Sequence, residues 1–398
     1  MPTGPAPGRR HSPEGGESPG NPDLPAFRAR VRRFVACEIT PHLDRWEEAG
    51  EVGREAWRAA GRHGLLGLEM PREHGGGGVD DPRHAAVLTA ELATAGAAGP
   101  GLSLHTDVAG PSLRDLATPE QRRRWLPGFC SGELVAALAA AETVAGADVR
   151  ELRTTAMPVP HGDGWILNGH EALAGNGTAA DVVIVAARTD HEEADAGTGG
   201  VSLLVVERGM PGFARDRHLP GIGPRARDVA DLFFTGVHVP RANLLGDEGG
   251  ALAHLRRHRP AQLLSTAIAA LASAESVFAL AARHGRRRAA RGRALRLPEH
   301  VRGTLAELAT ELHVGRAFVD RCVTAPGLDA AAAAMASWWC TRLHRRVVGR
   351  CLEIHEGRLD DHPIAAAYLD PGSPASSGGA ELAAEIIGSA LGLGHRPR

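Results

Sequence analysis

An α+β fold in three parts is what the sequence predicts: a helical N-terminal domain, a middle β-domain and a C-terminal helical bundle. Three observations carry it. Apolar residues recur at helical spacing up to about Phe129, short β-branched runs fill about Leu134 to Val239, and long Ala/Leu/Arg segments follow from about Gly250. A chain of 398 residues is long enough to bury two or three sizeable cores.

The elements follow in order. Residues 1–22 are rich in Pro, Gly, Ser and charge and lack the apolar stretch of a secretory signal, so they read as a disordered tail. Phe27, Val31, Phe34 and Val35 mark a helix that ends at Pro41, and Arg54 to Leu66 a second, stopped by Gly75–Gly78. Thr118-Pro119-Glu120 has the form of a cap with proline at the first helical position. In the middle, Val182–Ala186, Val201–Val206 and Leu232–Val239 read as strands, Asp163-Gly164 as a hairpin turn, and Asp190 to Gly200 as an exposed loop. Helices are expected near Ala261–Arg286, Pro298–Val323, Asp329–His355 and Ala380–Leu391, long segments with brief breaks that suit an antiparallel four-helix bundle. The expected boundaries are 1–22 for the tail, 23–130 for the N-terminal domain, 131–245 for the β-domain and 246–398 for the bundle.

Composition narrows the function. A formal net charge of −2 gives no reason to expect nucleic acid or an anionic membrane as partner. No apolar run approaches the ~20 residues of a membrane span. Basic charge is carried by arginine, with no lysine in the chain. The 5 cysteines are scattered and form no CxxC pair, which points to reduced thiols and a cytoplasmic protein. His254 and His258 are spaced as metal ligands can be, but no third ligand or HExxH phrase accompanies them, so no metal is expected. Trp338-Trp339 reads as bundle core.

Within this frame a collinear set of phrases resembles the acyl-CoA dehydrogenase family. His63-Gly-Leu-Leu-Gly-Leu-Glu-Met-Pro71 with Glu73-His-Gly-Gly76 resembles "GLLG…PEEYGG", and Thr118-Pro-Glu-Gln121, Trp125-Leu-Pro127 and Ser131-Gly-Glu133 resemble "TEEQK…LP…SGE". Ala141-Glu-Thr-Val-Ala-Gly-Ala-Asp148 stands where the family has "TEPGAGSD". Trp165-Ile-Leu-Asn-Gly169, Ala180-Asp181, Pro211-Gly-Phe213, Val237-His-Val-Pro240 and Asn243-Leu-Leu-Gly246 continue the series. The resemblance implies FAD between the β-domain and the C-terminal helices. It also implies an acyl-CoA or acyl-carrier-protein thioester as substrate, oxidised at C2–C3, and a homo- or hetero-oligomeric assembly.

The residues at the family's working positions depart from its pattern. The glutamate base of the "EGT" phrase falls on Gly378, and the alternative base position early in the first C-terminal helix falls on Gln262. Glu381, Glu356 and Asp370 stand as weak substitutes. At the flavin, the "TEP" threonine becomes Ala141, "WITNG" becomes Leu173-Ala-Gly175-Asn-Gly177, a glutamine becomes Glu299 and "QxxGGxG" begins at Glu353. Arg288 is the matched diphosphate contact. The substrate-touching serine becomes Ala147, and only the backbone N–H of Gly378 could polarise a thioester carbonyl there. FAD affinity is therefore expected to be weak. Two alternatives stay open, a non-catalytic subunit of a heteromeric dehydrogenase and a flavin-free acyl-binding protein.

Overall fold

The computed structural model describes residues 23–97, 101–140, 152–160, 162–189, 200–217, 226–290, 299–354, 367 and 379–393. The expected tail, the Asp190–Gly200 loop except its last residue, and positions 141, 147, 356, 370 and 378 lie outside them.

The N-terminal part is helical: α1 (Leu24–Phe34), α2 (Leu43–Ala49), α3 (Arg54–Arg62), α4 (Pro82–Thr94), α5 (Gly110–Leu116) and α6 (Pro119–Ser131). Pro41 does not end the first helical stretch. It lies in a 3₁₀ turn (Thr40–His42) after a π-helical turn (Val35–Ile39), so the chain bends and coils on into α2. Proline is tolerated there because the first turn of a helix leaves N–H groups unpaired in any case. Phe27, Val31, Phe34, Trp46, Trp57 and Leu88 close a core among these helices.

The middle part is one eight-stranded sheet, mostly antiparallel: β1 (Ala136–Ala139), β2 (Thr155–Pro158), β3 (Trp165–Gly175), β4 (Val182–Arg188), β5 (Val201–Glu207), β6 (Phe213–Arg217), β7 (Val229–Val239) and β8 (Leu244–Leu245). The strand order is β6-β7-β3-β2-β4-β5-β8, and β1 pairs with β4 in parallel. Asp163-Gly164 lies in the connection between the antiparallel strands β2 and β3. The unbroken apolar run of β4 reflects burial on both faces. Val183 and Val185 pack with Trp165, Leu204 and Val237 on one side, while Val182 and Ile184 pack with Leu113, Trp125 and Phe129 on the other.

The C-terminal part is four helices: α7 (Ala251–Ala290), α8 (Glu299–Thr324), α9 (Ala330–Ile354) and α10 (Gly379–Ala390). Helix α7 is the spine. Leu264, Ile268, Leu271 and Val277 pack against Leu308, Leu312 and Val319 of α8 and Leu343 and Val347 of α9. Its N-terminal residues Ala251, Leu252 and Leu255 pack under the sheet. Arg316 of α8 grips Glu275 of α7 with two hydrogen bonds, at 3.0 and 2.5 Å. Over Ala251–Arg286, α7 is long and apolar enough to cross a membrane by length and composition. Its apolar face packs within the bundle, which accounts for that composition. Of the tryptophan pair expected in the core, Trp338 packs against the cluster of Leu263, Ala333, Ala334 and Ala383, and Trp339 does not enter the core. Trp338 is half-buried beneath Arg342, and Trp339 stays 38% exposed.

Helix α6 shows how a local signal becomes a long-range tie. Thr118 Oγ1 accepts from the Gln121 N–H, and Gln121 Oε1 accepts from the Thr118 N–H at 2.9 Å, a complete capping box. The other end of the same Gln121 amide donates to the carbonyls of Ala242 and Leu244, at 2.8 and 2.7 Å. Thr118→Ala should cost about 1 kcal/mol, an ordinary cap loss. Gln121→Ala should cost about 2–3 kcal/mol, because it also strips two carbonyls of their donor. Urea unfolding of the two variants checks the order.

Candidate active site

One of the residues expected at the site, Gly175, rests on a π-helical turn at Leu104–Ala109. The approach to this turn is set by Gly101 (φ 59°), where the Asn176 side chain leaves no room for a Cβ. Asn176 Nδ2 donates to the Gly101 carbonyl at 3.0 Å. A Cβ on Gly175 would lie 2.5 Å from Leu104 Cδ1, so the end of β3 rests directly on the turn. The Leu173-Ala-Gly-Asn-Gly177 phrase and this turn are therefore one assembly.

His105 fixes the turn from behind. The Ala136 N–H donates to its Nδ1 at 3.0 Å, so that nitrogen carries no proton. The proton is then on Nε2, which donates to the Phe129 carbonyl at 3.2 Å. The ring stacks on Phe129 with centroids 3.6 Å apart and has no exposed surface. Burial holds its pKa down at about 3, and the neutral imidazole ties α6 to β1 through the turn.

With the turn so held, Asp107 faces α7. Its carboxylate accepts from Thr106 Oγ1 at 2.7 Å, from Ser265 Oγ of α7 at 3.0 Å and from Thr89 Oγ1 of α4 at 3.4 Å. Burial raises its pKa above the usual carboxylate value, and the three hydroxyls offset part of that rise. The residue as a whole nonetheless keeps some accessible surface. Ser265 stands one turn beyond Gln262, itself half-buried on α7, so the two share a helix face. The expected substitutes for the base did not include Asp107. Its partner on α7 is 158 residues distant, and no local phrase signals that contact.

The remaining expected residues scatter. Gln262 carries an amide, which cannot act as a base at neutral pH. Glu381 lies in the first turn of α10. Glu353 is exposed on α9 and pairs with Arg350 at 3.0 Å, and Glu299 opens α8. Arg288 lies in the last turns of α7. Leu173 adopts a left-handed conformation (φ 57°) at a register shift between β3 and β7. Its N–H donates to Asp231 and its side chain is 39% exposed. At Leu173 and Gly175, two positions expected to meet a flavin ring, the chain offers no side-chain hydroxyl.

His254 and His258 do have a companion. Asp115 of α5 brings a carboxylate oxygen to 2.7 Å from His258 Nε2, and the three donor groups lie within 4.8 Å of one another. Asp115 is 143 residues from His258, which is why spacing along the chain did not reveal it.

A three-part chain of this kind, with an eight-stranded sheet between two helical regions, is the architecture of a flavoprotein dehydrogenase acting on acyl thioesters. The N-terminal, middle and C-terminal domains of acyl-CoA dehydrogenases match residues 21–133, 137–237 and 261–391, and the chain belongs to the acyl-CoA dehydrogenase family. It is 38% identical over 367 residues to a long-chain specific acyl-CoA dehydrogenase of Sus scrofa, covering 91% of this chain and 84% of that one. A Bacillus subtilis acyl-CoA dehydrogenase is 31% identical over 297 residues, covering 74% and 76%. Among solved structures, an acyl-CoA dehydrogenase from Geobacillus kaustophilus superposes with a TM-score of 0.86 at 36% identity, covering 94% of this chain and 99% of that one. The butyryl-CoA dehydrogenase of Megasphaera elsdenii shares the fold, with a TM-score of 0.83 at 24% identity over 92% and 97%.

The His105 clamp carries a pH signature. Its folded pKa, about 3, lies below the unfolded value of 6.5, so the unfolded chain binds the extra proton and stability falls as pH drops below 6.5. The loss should reach about 2 kcal/mol by pH 5 at about 1.4 kcal/mol per pKa unit. Chemical denaturation from pH 7 to 5 checks this, and His105→Gln should remove that share of the slope.

Proposed function

We propose that this chain is a flavin-dependent dehydrogenase of acyl thioesters in which Asp107 removes the α proton. The observation that carries this reading is the Asp107 carboxylate, raised in pKa by burial and held against the face of α7 that bears Gln262. The α proton of a thioester is weakly acidic, so its base needs a raised pKa and a dry setting. Asp107 has the raised pKa. The Ser265 and Thr89 hydroxyls orient the carboxylate before transfer and can turn as acceptors to the neutral acid after it.

FAD, when bound, supplies the acceptor for the β hydride. By the family's pattern Leu173 would lie at the ring and Arg288 at the diphosphate. Gly175 has no side chain, and the Leu173 N–H is already taken by Asp231. Such a set would pack against a flavin without holding its polar edge, so weak affinity is expected. The purified protein should carry well under one flavin per chain, and added FAD should restore the visible band. A stoichiometric band after desalting would refute weak binding.

The test of the base is single-turnover flavin bleaching by acyl-CoA in the FAD-saturated protein. Asp107→Asn should slow it on the order of 10²–10⁴-fold. Its thermal stability should hold, since the amide keeps the shape and sheds a buried charge. An unchanged rate in Asp107→Asn moves the base to Glu381, Glu356 or Asp370. A chain that takes neither FAD nor substrate is instead a non-catalytic subunit or an acyl-binding protein.

The substrate is an acyl thioester on CoA or a carrier protein, and the assembly is oligomeric. Val314 of α8 and Met335 and Trp339 of α9 are exposed apolar side chains, surface that suits a second copy or a sister chain. Four of the cysteines are buried single thiols, in keeping with a reducing cytoplasm.

A further inference from the structure

We infer that Asp115, His254 and His258 form a binding site for one divalent transition-metal ion, zinc by donor chemistry, at the seam between α5 and α7. Nothing in the proposed dehydrogenation uses these residues.

The arrangement is built from two helix faces. His254 and His258 are one turn apart on α7, and Ser112 and Asp115 are one turn apart on α5. The imidazole rings stand 4.6 Å apart between centroids, tilted by 53°. Each reaches across the seam. His254 Nε2 meets Ser112 Oγ at 3.1 Å, and His258 Nε2 meets Asp115 Oδ2 at 2.7 Å. The three ligating groups lie within 4.8 Å of one another, so small side-chain rotations bring them to the ~2.0–2.2 Å of zinc–nitrogen and zinc–oxygen bonds. Two imidazoles and one carboxylate leave a fourth position for Ser112 or a water.

The surroundings suit a cation despite neighbouring arginines. Arg114 holds Asp115 through Oδ1 at 2.7 Å and more loosely through Oδ2 at 3.4 Å, which orients the carboxylate, and Oδ2 also faces His258. Arg114 is itself paired with Glu69. Arg257 also faces the pair and opposes a cation. A neutral imidazole keeps one unprotonated nitrogen, so each ring can offer a lone pair once the proton shared with Ser112 or Asp115 is displaced. His254 and Ser112 are buried and Asp115 lies nearer the surface, so an ion has a path in.

An ion here would tie α5, which directly continues the Asp107 turn, to α7, which carries Ser265. It would act as a structural clamp on the two elements that meet at the carboxylate.

The test is Co²⁺ and Zn²⁺ titration of the tag-free, full-length protein, with visible absorption for cobalt and thermal unfolding for zinc. We expect one equivalent of Co²⁺ with a d–d band and a zinc-dependent rise in melting temperature. Both should be lost in Asp115→Asn and in His258→Gln and kept in Cys37→Ser, which removes the exposed thiol as a competing ligand. Gln at 258 keeps a donor for Asp115, so circular dichroism should show that variant folded. No binding by the wild type at tens of micromolar metal, binding that survives both site variants, or binding lost in Cys37→Ser overturns the site.

Discussion

Everything at the centre of this molecule depends on one neutral imidazole. His105 has both ring nitrogens committed, one receiving a strand N–H and the other donating to a helix carbonyl, and it has no exposed surface. A protonated ring could not accept from Ala136, so the clamp and the depressed pKa are the same fact seen twice. The clamp sets where Leu104–Ala109 runs. That run in turn fixes what β3 rests on and which way Asp107 faces.

The domains are thereby connected through polar contacts laid over apolar packing. Apolar packing supplies the bulk of the stability, with α7 central to both the bundle and the underside of the sheet. Specific register comes from a few directional contacts: Gln121 to β8, Asn176 to Gly101, Arg316 to Glu275 and Ser265 to Asp107. A carboxylate among them costs desolvation, and hydroxyl donors lower that cost without cancelling its charge as an arginine would.

How much of this the sequence disclosed follows from the range of each interaction. Helix α8 was expected over Pro298–Val323 and spans Glu299–Thr324, because amphipathic period and capping are local. β4 and β5 were legible for the same reason, as β-branched runs between breakers. The cap at Thr118 was legible, but the reach of Gln121 to β8 was not. The site was least legible, since its groups meet only in three dimensions. Asp107 reads as one more acidic residue until Ser265 and Thr89 are brought to it, and Asp115 likewise until α7 lies beside α5. Spacing also misjudged Trp339, because helical period identifies a face without saying whether anything covers it.

The π-helical geometry of Leu104–Ala109 has an evolutionary corollary. A π turn is an α-helix carrying one extra residue, so a single codon gained or lost converts one into the other. Each residue turns a helix by about 100°. Losing one residue before position 107 would swing that carboxylate off the face it now shares with α7, while the helix itself could re-form without a break. Within this architecture the presence or absence of an acid at the domain seam is thus a matter of phase as well as composition. A lineage could silence or restore such a group by indel at this turn, at the cost of re-seating the neighbours that share it, Leu104, His105 and Thr106.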